Sequence, residues 1–468
     1  MATITFLGAA QEVTGSCHLI ESPAIGKVIL DCGMHQGGDA IKRLSKDRFD
    51  FDPCELDAVI LSHAHLDHSG LLPKLVHQGF TGPIYCTSAT ADLLRIMLND
   101  AAGLYERDLA RENLRKQRKG RKGQIKPQYT QADVDNVLKQ CEGRRYGAST
   151  TVGPQARVTF HDAGHILGSA IVELEFEEEG RTKRLVFSGD LGNQDSSLMN
   201  PPARLREADV VLMESTYGNR NHKNIQDTVD ELAEILASTW DRGGNVMIPS
   251  FAVGRSQEIL FHLGQFHYQG LLDNWQVFLD SPMALQVTRV YDKWLKLLDG
   301  DDVKELNDAQ KSSLIGFLPS LQISESPQDS MAINEVEKGA IVIAGSGMCT
   351  GGRIRHHLKH RIWREENTLL FIGFQAMGTL GRKLVDGAKT VRMFGDEFAV
   401  KARIETLGGY SAHAGQDELV EWITSFETNP QVVLVHGEPA ASQALGARLE
   451  KEHGISCKLP APRETLTF

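Results

Sequence analysis

The 468-residue sequence contains no Cys-x-x-Cys pair: its seven cysteines stand singly at Cys17, Cys32, Cys54, Cys86, Cys141, Cys349 and Cys457. So dispersed, they read as reduced and mostly buried thiols, which excludes a disulfide framework and a zinc ribbon. No uncharged apolar run approaches the roughly 18 residues of a membrane span, and the N-terminus MATITFLGAAQEVTGS lacks the basic-then-apolar order of a signal segment. A cytoplasmic protein without a membrane partner is expected. Positive charge is not in excess either: 50 Lys and Arg face 61 Asp and Glu, a formal net charge of -11. That argues against coating nucleic acid by bulk electrostatics and leaves room for a local basic groove. With 41% apolar and 7% aromatic residues the composition is that of an ordinary globular protein, and the length calls for two domains or one domain with a large insertion.

Strand-like apolar runs recur, and several end in polar residues: DAVILSHAH, RLVFSGD, DVVLMEST, NVMIPS, QVFLDSP, AIVIAGSG, LLFIGF and VVLVHGE. Amphipathic helix patterns lie between many of them, such as those over residues 225–239 and 418–426. Alternating strands and helices imply α/β layers, whose ligands bind at the carboxyl ends of strands. One segment departs from this pattern, RDLARENLRKQRKGRKGQIKPQ over residues 107–128. It reads as a helix running into a Lys/Arg/Gly loop, either a solvated surface or a phosphate-contacting arm. There is no internal repeat or low-complexity tract.

The stretch LSHAHLDHSG packs His63, His65, Asp67 and His68 into six residues directly after a strand. Alternation along extended backbone sends residues 63, 65 and 67 to one side, so one short segment can deliver several ligands to one place. Neutral imidazole and carboxylate suit zinc and can leave a coordination position open for water, with manganese as an alternative ion. In HDAGH, His161 competes with His165 as a further donor. A shared helical face would unite them, but the glycine-containing loop makes that helix doubtful and leaves both as candidates on the residues alone.

HAHLDH resembles the HxHxDH signature of the metallo-β-lactamase fold, and motifs similar to the rest of that family's follow in order. Asp31 in LDCG resembles the first, His165 in DAGHILGSA the third and Asp190 in FSGD the fourth. Glu214 in MESTYG, His413 in GYSAHAG and His436 in LVHGE resemble the three extra motifs of the β-CASP branch, which contains nucleases of RNA 3′-end processing, bacterial and archaeal ribonucleases and DNA-repair nucleases. The resemblance implies a four-layer αββα metallo-β-lactamase domain carrying an inserted α/β β-CASP domain, divided as residues 1–217, 218–402 and 403–468. It implies two zinc ions, one held by His63, His65 and His165, the other by Asp67, His68 and His436, with Asp190 bridging. Two such ions can activate water and stabilise the attacking and leaving oxygens of an in-line phosphodiester displacement. Asp67 and Asp31 are counted among the catalytic side chains, Asp31 as the group orienting water or a ligand imidazole. His413 is the expected acid, with Glu214 on its other nitrogen.

Histidine at position 436 resembles the RNA-acting members rather than the DNA-repair ones, so single-stranded RNA is the expected substrate. Within the inserted segment, GSGMCTGGRIRHHLKHR offers Ser346, Gly347, Gly351 and Gly352 before a helical stretch, where backbone N–H groups can hold a phosphate. Thr379 and Arg382 in GFQAMGTLGR, and Ser250 and Arg255 in PSFAVGRSQE, are further candidate contacts. These clusters would make the groove between the domains positive although the chain is acidic. The chain stops about 30 residues after His436, without the C-terminal domain of longer relatives, which favours a compact endonuclease that also works 5′-to-3′. A homodimer is expected by analogy with relatives. Two rivals remain: a metallo-β-lactamase-fold hydrolase of a small ester or thioester, and a catalytically silent RNA-binding β-CASP subunit.

Overall fold

The structure, a computed structural model, describes residues 1–35 and 40–468. It divides into two compact units. One comprises Met1–Gln194, Pro201–Asn221 and His413–Phe468; the other comprises Asp195–Asn200 and His222–Ala412.

The first unit is a sandwich of two seven-stranded sheets. One sheet runs in the order Thr465–Thr467, Thr3–Gly8, Cys17–Ser22, Gly26–Leu30, Ala58–Ile60, Ile84–Thr87, Cys141–Arg144. The other runs Cys457–Lys458, Gln431–Val435, Val210–Glu214, Arg181–Phe187, Ala170–Glu178, Ala156–Asp162, Thr150–Thr151. Period-two alternation assigns the faces. In QVVLV, Val433 and Val435 enter the core between the sheets beside Ile4, Ile20, Val28 and Phe187. Val432 and Leu434 point the other way, onto helices Gln416–Thr424 and Pro439–His453 through Leu419, Trp422, Leu445 and Leu449. Helices Ser88–Arg118 and Gln131–Gln140 lie against the first sheet's side of the sandwich, which completes the αββα layering.

The second unit is built on six strands in the order Leu321–Ile323, Gln276–Leu279, Ala340–Ala344, Val246–Pro249, Thr368–Phe371, Arg403–Thr406, every pairing parallel. Parallel strands covered on both faces read as continuous apolar runs, and AIVIA over 340–344 is buried throughout. Helices Ile225–Asp241, Arg255–Tyr268 and Pro282–Lys293 cover one face and Ile354–Arg361 and Leu380–Val385 the other. The pairing of Arg403–Thr406 with Thr368–Phe371 carries this unit past residue 402, to Ala412.

Candidate metal centre

Strand ends deliver the polar residues of the first unit. Asp31 follows Gly26–Leu30, Ser62 to His68 follow Ala58–Ile60, Asp190 follows Arg181–Phe187, Glu214 ends Val210–Glu214, and His436 follows Gln431–Val435. His165 sits in a loop that is locked from outside. The hydroxyls of Thr87 and Thr90, at the start of helix Ser88–Arg118, both donate to the Gly168 carbonyl at 2.6 and 2.8 Å. Gly168 has φ +79°, and a Cβ there would lie 2.6 Å from Thr90 N, so only glycine fits.

Two groups of donors form. His65 Nδ1 lies 3.1 Å from both His63 Nε2 and His165 Nε2, while His68 Nε2 lies 3.1 Å from His436 Nε2. Asp190 faces both groups. Its Oδ2 is 3.5 Å from His63 Nε2 and 3.6 Å from His165 Nε2; its Oδ1 is 3.3 Å from His68 Nε2 and 3.6 Å from His436 Nδ1. Asp67 completes the second group, 3.9 Å from His436 Nε2.

These donors fit a metal cofactor. Tetrahedral ligands about 2.0–2.1 Å from zinc sit about 3.3 Å from one another, close to the nitrogen spacings found. Asp190 Oδ1 is buried without a hydrogen-bond partner, a cost that a cation removes. Burial first, and then His68, push the His63 pKa well down, and burial takes His65 to about 4, so both rings are neutral, the form that binds metal. Burial works against ionisation of Asp190, but His436, His68 and His63 overcome it and hold its pKa well below the usual carboxylate range.

The rings are fixed by Asp31 and by hydroxyls that the sequence did not single out, those of Ser16, Ser62 and Thr216. Asp31 Oδ2 takes His68 Nδ1 at 2.7 Å and is itself held by the Ser16 and Ser62 hydroxyls at 3.0 Å, with Ser62 N on Oδ1 at 2.8 Å. This directs His68 Nε2 to the second group. Thr216 Oγ1 lies 3.1 Å from His436 Nδ1 and donates to the His436 carbonyl at 3.0 Å, bracing a residue with φ 48°. The only hints were adjacency, Ser62 before His63 and Thr216 two after Glu214. His161 instead pairs with Glu173 across neighbouring strands at 2.8 Å.

His413 Nδ1 lies 3.2 Å from both Glu214 oxygens, and Glu214 is fully buried and accepts from Leu191 N at 2.6 Å. Burial lowers the His413 pKa, but the Glu214 charge and hydrogen bond, then Asp190 and Asp67, outweigh it and lift it to about 9. The side chains of His413 and Asp67 are 22% and 14% exposed, against 5% or less for His63, His68, His165, Asp190 and His436. Within this unit, water therefore meets the cluster beside these two and beside His65, which is also only partly buried.

Residues 10–239 match the metallo-beta-lactamase superfamily model, 256–384 the Beta-Casp domain, and 397–460 the Zn-dependent metallo-hydrolase RNA specificity domain. The chain is 41% identical over 446 residues to Ribonuclease TTHA0252 of Thermus thermophilus, covering 94% of each. It belongs to the β-CASP family of metallo-β-lactamase-fold proteins. It is also 32% identical over 450 residues to Transcription termination factor FttA of Methanocaldococcus jannaschii, covering 93% of this chain and 67% of that one. A solved Enterococcus faecalis protein of unknown function shares the fold at TM-score 0.57 and 14% identity over the full length of both.

In the β-CASP unit the expected phosphate-binding turns all fall at carboxyl ends of the parallel strands. The Ser250 turn and the Ser346 loop adjoin: Ser250 N donates to the Ala344 carbonyl at 3.0 Å, and a Cβ on Gly347 would lie 2.8 Å from the Phe251 ring. Gly381 N donates to the Met348 carbonyl at 3.1 Å, tying in the third turn. Ser346 closes its own loop with Gly351, and Gly352, at φ +72°, would put a Cβ 2.2 Å from the Gly345 carbonyl oxygen. The side chains are largely committed. Arg255 is buried and donates to Glu258, Thr379 caps helix Leu380–Val385, and Arg382 pairs with Asp386 at 3.0 Å. The i, i+3 spacing of Arg255 and Glu258 on a helix was a readable signal of that pairing. The sequence reading also passed over Phe251 and Phe374, aromatic residues at the ends of two of these strands, 39% and 51% exposed.

Proposed function

We propose that this chain is a zinc-dependent ribonuclease that hydrolyses single-stranded RNA internally, with 5′-to-3′ exonuclease activity as a second mode. The observation that carries the reading is the pair of donor groups joined by Asp190, with a protonated imidazole on their open side. His63, His65 and His165 would hold one zinc, Asp67, His68 and His436 the other, and Asp190 both. When bound, the two ions supply an activated water and compensate the charge growing on the attacking and leaving oxygens. Asp31 fixes the ring of His68, and Thr216 that of His436. His413, which Glu214 keeps protonated at neutral pH, donates its proton to the leaving alkoxide, a contribution of roughly 10² to 10⁴ in rate. Glu214 holds the imidazole in place through Nδ1, and water supplies the proton that restores it for the next cycle.

The strand-end loops of the β-CASP unit supply the polymer contacts in this reading. Backbone N–H groups of the Ser346–Gly352 loop take phosphate, and Phe251 and Phe374 stack bases, an interaction tolerant of sequence. The match to an RNA specificity domain and the name of the Thermus relative support RNA over DNA. Histidine at 436 agrees with them.

The test compares a 5′-labelled single-stranded RNA with DNA of the same sequence, using wild type and Asp67→Ala with bound zinc quantified. Internal cuts in RNA alone, lost together with metal in the variant, are expected. A fully metallated wild type that cuts neither polymer would overturn the reading in favour of a small-ester hydrolase or a silent RNA-binding subunit.

A further inference from the structure

The basic segment of residues 107–128 plays no part in the chemistry above, yet it is built rather than loose. Helix Ser88–Arg118 runs 31 residues, and its last buried side chain is Leu109. The remaining turns project beyond that anchor. The helix then stops on a glycine: Gly120 adopts φ +68°, its N–H donates to the Gln117 carbonyl at 2.9 Å, and Arg121 N donates back to Lys116 O at 3.0 Å, which reverses the chain. The return leg is clamped to the helix. Asn113 gives and takes a hydrogen bond with the Ile125 backbone at 3.1 and 2.7 Å. Tyr105 Oη accepts from Gln128 N at 2.9 Å, and Tyr129 stacks on Tyr105 with ring centroids 5.0 Å apart. A merely solvated charge run has no need of such clamps.

Residues 107–128 carry nine cations and two carboxylates, net +7, in a chain of net -11. Both carboxylates are spent on exposed i, i+3 pairs, Asp108 with Arg111 at 3.5 Å and Glu112 with Arg115 at 3.6 Å. Such pairs neutralise little. Lys116, Arg118, Lys119, Arg121, Lys122 and Lys126 have no carboxylate in ion-pairing distance among the described residues, and all but Lys116 are exposed. Like charges at that density repel one another, so the arrangement is favourable only with an anionic polymer to neutralise it.

The helix is also a ruler. Its first turn is bonded to Gly168, three residues past His165, and from Ser88 the axis advances about 1.5 Å per residue. Arg107 therefore lies roughly 28 Å, and Arg118 roughly 45 Å, along the axis from the loop that carries His165. A stacked strand presents one phosphate per roughly 3.4 Å, so about eight nucleotides separate the site from Arg107, the first cation of the segment.

We propose that this arm is an accessory site for the phosphate backbone of single-stranded RNA, engaging the strand about eight or more nucleotides from the scissile bond. The inference rests on the ribonuclease reading for the identity of the polymer. It makes the enzyme a gauge of length: short RNAs meet only the metal centre and the β-CASP loops, whereas longer ones gain the arm's affinity. Binding there is independent of sequence and falls steeply with salt, because each neutralised phosphate releases counterion.

The test neutralises the tip with Lys116→Gln, Arg118→Gln, Lys119→Gln, Arg121→Gln and Lys122→Gln together, and compares a charge-preserving set that exchanges Lys and Arg at the same positions. Binding of labelled single-stranded RNAs of about 6 and about 24 nucleotides is measured by anisotropy in EDTA between about 50 and 200 mM salt. Hydrolysis of bis(4-nitrophenyl) phosphate reports whether fold and centre survive. For the long RNA the neutral set should lose at least about tenfold in affinity and up to about 3.5 in the slope of log K against log salt. The short RNA, the small phosphodiester and the charge-preserving set should behave as wild type. Equal long-RNA affinity and slope in wild type and the neutral set would overturn the arm, even where wild type cleaves RNA. So would RNA binding that ignores the arm while phosphatidylserine vesicles bind wild type alone. Arm-dependent binding of the long RNA by a wild type that cleaves no RNA would instead sink the ribonuclease reading and leave the arm standing.

Discussion

The two units place polar residues at the same kind of location, the carboxyl ends of strands, and use them in opposite ways. In the metal-binding unit the groups converge on one another: imidazole nitrogens stand 3.1 Å apart and a buried Asp190 oxygen lacks a hydrogen-bond partner. In the β-CASP unit the side chains are paired off. Arg255 binds Glu258, and Asp280 takes His357 at 2.6 Å and Arg353 at 2.7 Å, while the rings of Phe251 and Phe374 stay exposed. A cluster of converging metal donors costs stability and creates a cation site. One paired off among its own members costs little and fixes the loops around it.

Breaking the convergent cluster should have the largest effect. His436→Ala is expected to halve bound metal and lower RNA cleavage by roughly 10² to 10³, several kcal/mol of lost charge stabilisation, while the fold persists. Metal analysis with circular dichroism and cleavage rates checks it, and unchanged metal would remove His436 from the donor set. His413→Ala comes next. It should keep the full metal complement and slow cleavage about 10² to 10³, most for poor leaving groups. Because Asp190, Glu214 and His413 also lie within coordinating distance of one another, a loss of metal in this variant would make His413 a ligand instead of an acid.

How far the sequence revealed this contrast depended on burial. All eight apolar runs that end in polar residues are strands, because parallel or central strands covered on both faces cannot hide their character. The antiparallel strands Thr3–Gly8, buried at alternate residues, and Cys17–Ser22, buried except at Glu21, were not singled out, since TITFLG and CHLIES mix polar and apolar residues over very short spans. The residues of the metal centre were recognisable because several crowd one loop. Their braces were not: Ser16, Ser62 and Thr216 are ordinary hydroxyls whose role appears only when distant segments meet. The same limit applies to Arg255, Thr379 and Arg382, where the sequence offers a cation or hydroxyl and only the fold tells whether a nearer partner has taken it.

The loops of the β-CASP unit give a sharper and smaller test. Gly352→Ala forces a Cβ to within 2.2 Å of the Gly345 carbonyl oxygen at φ +72°, a local strain of about 1–3 kcal/mol that reshapes the loop. KM for RNA should rise about tenfold, equivalent to about 1.4 kcal/mol of binding, with bis(4-nitrophenyl) phosphate turnover within about twofold of wild type. If both substrates suffer equally, the loop supports the metal centre rather than the polymer, and the proposed division of labour fails.

The smallest expected effect comes from a cluster that lies in the metal-binding unit yet is paired off like those of the other. His35 Nδ1 lies 3.0 Å from Asp47 and Nε2 3.1 Å from Glu12. Hydrogen bonding to Asp47 and then Glu12 outweighs burial and raises its pKa from 6.5 to about 10. A folded-state pKa above the unfolded one means that protonation favours the folded state. The contribution is therefore complete below pH 6.5 and lost as pH climbs through 10. His35→Gln should lower Tm by about 1 to 2 °C near neutrality, modest because the ring is 39% exposed, and the gap from wild type should close toward pH 10. Metal content and RNA cleavage should not change. A Tm difference constant across that interval would mean that His35 acts through packing alone, whereas a loss of metal would mean that the His35 cluster and the metal donors are coupled within the unit and that the contrast between the two regions is one of degree.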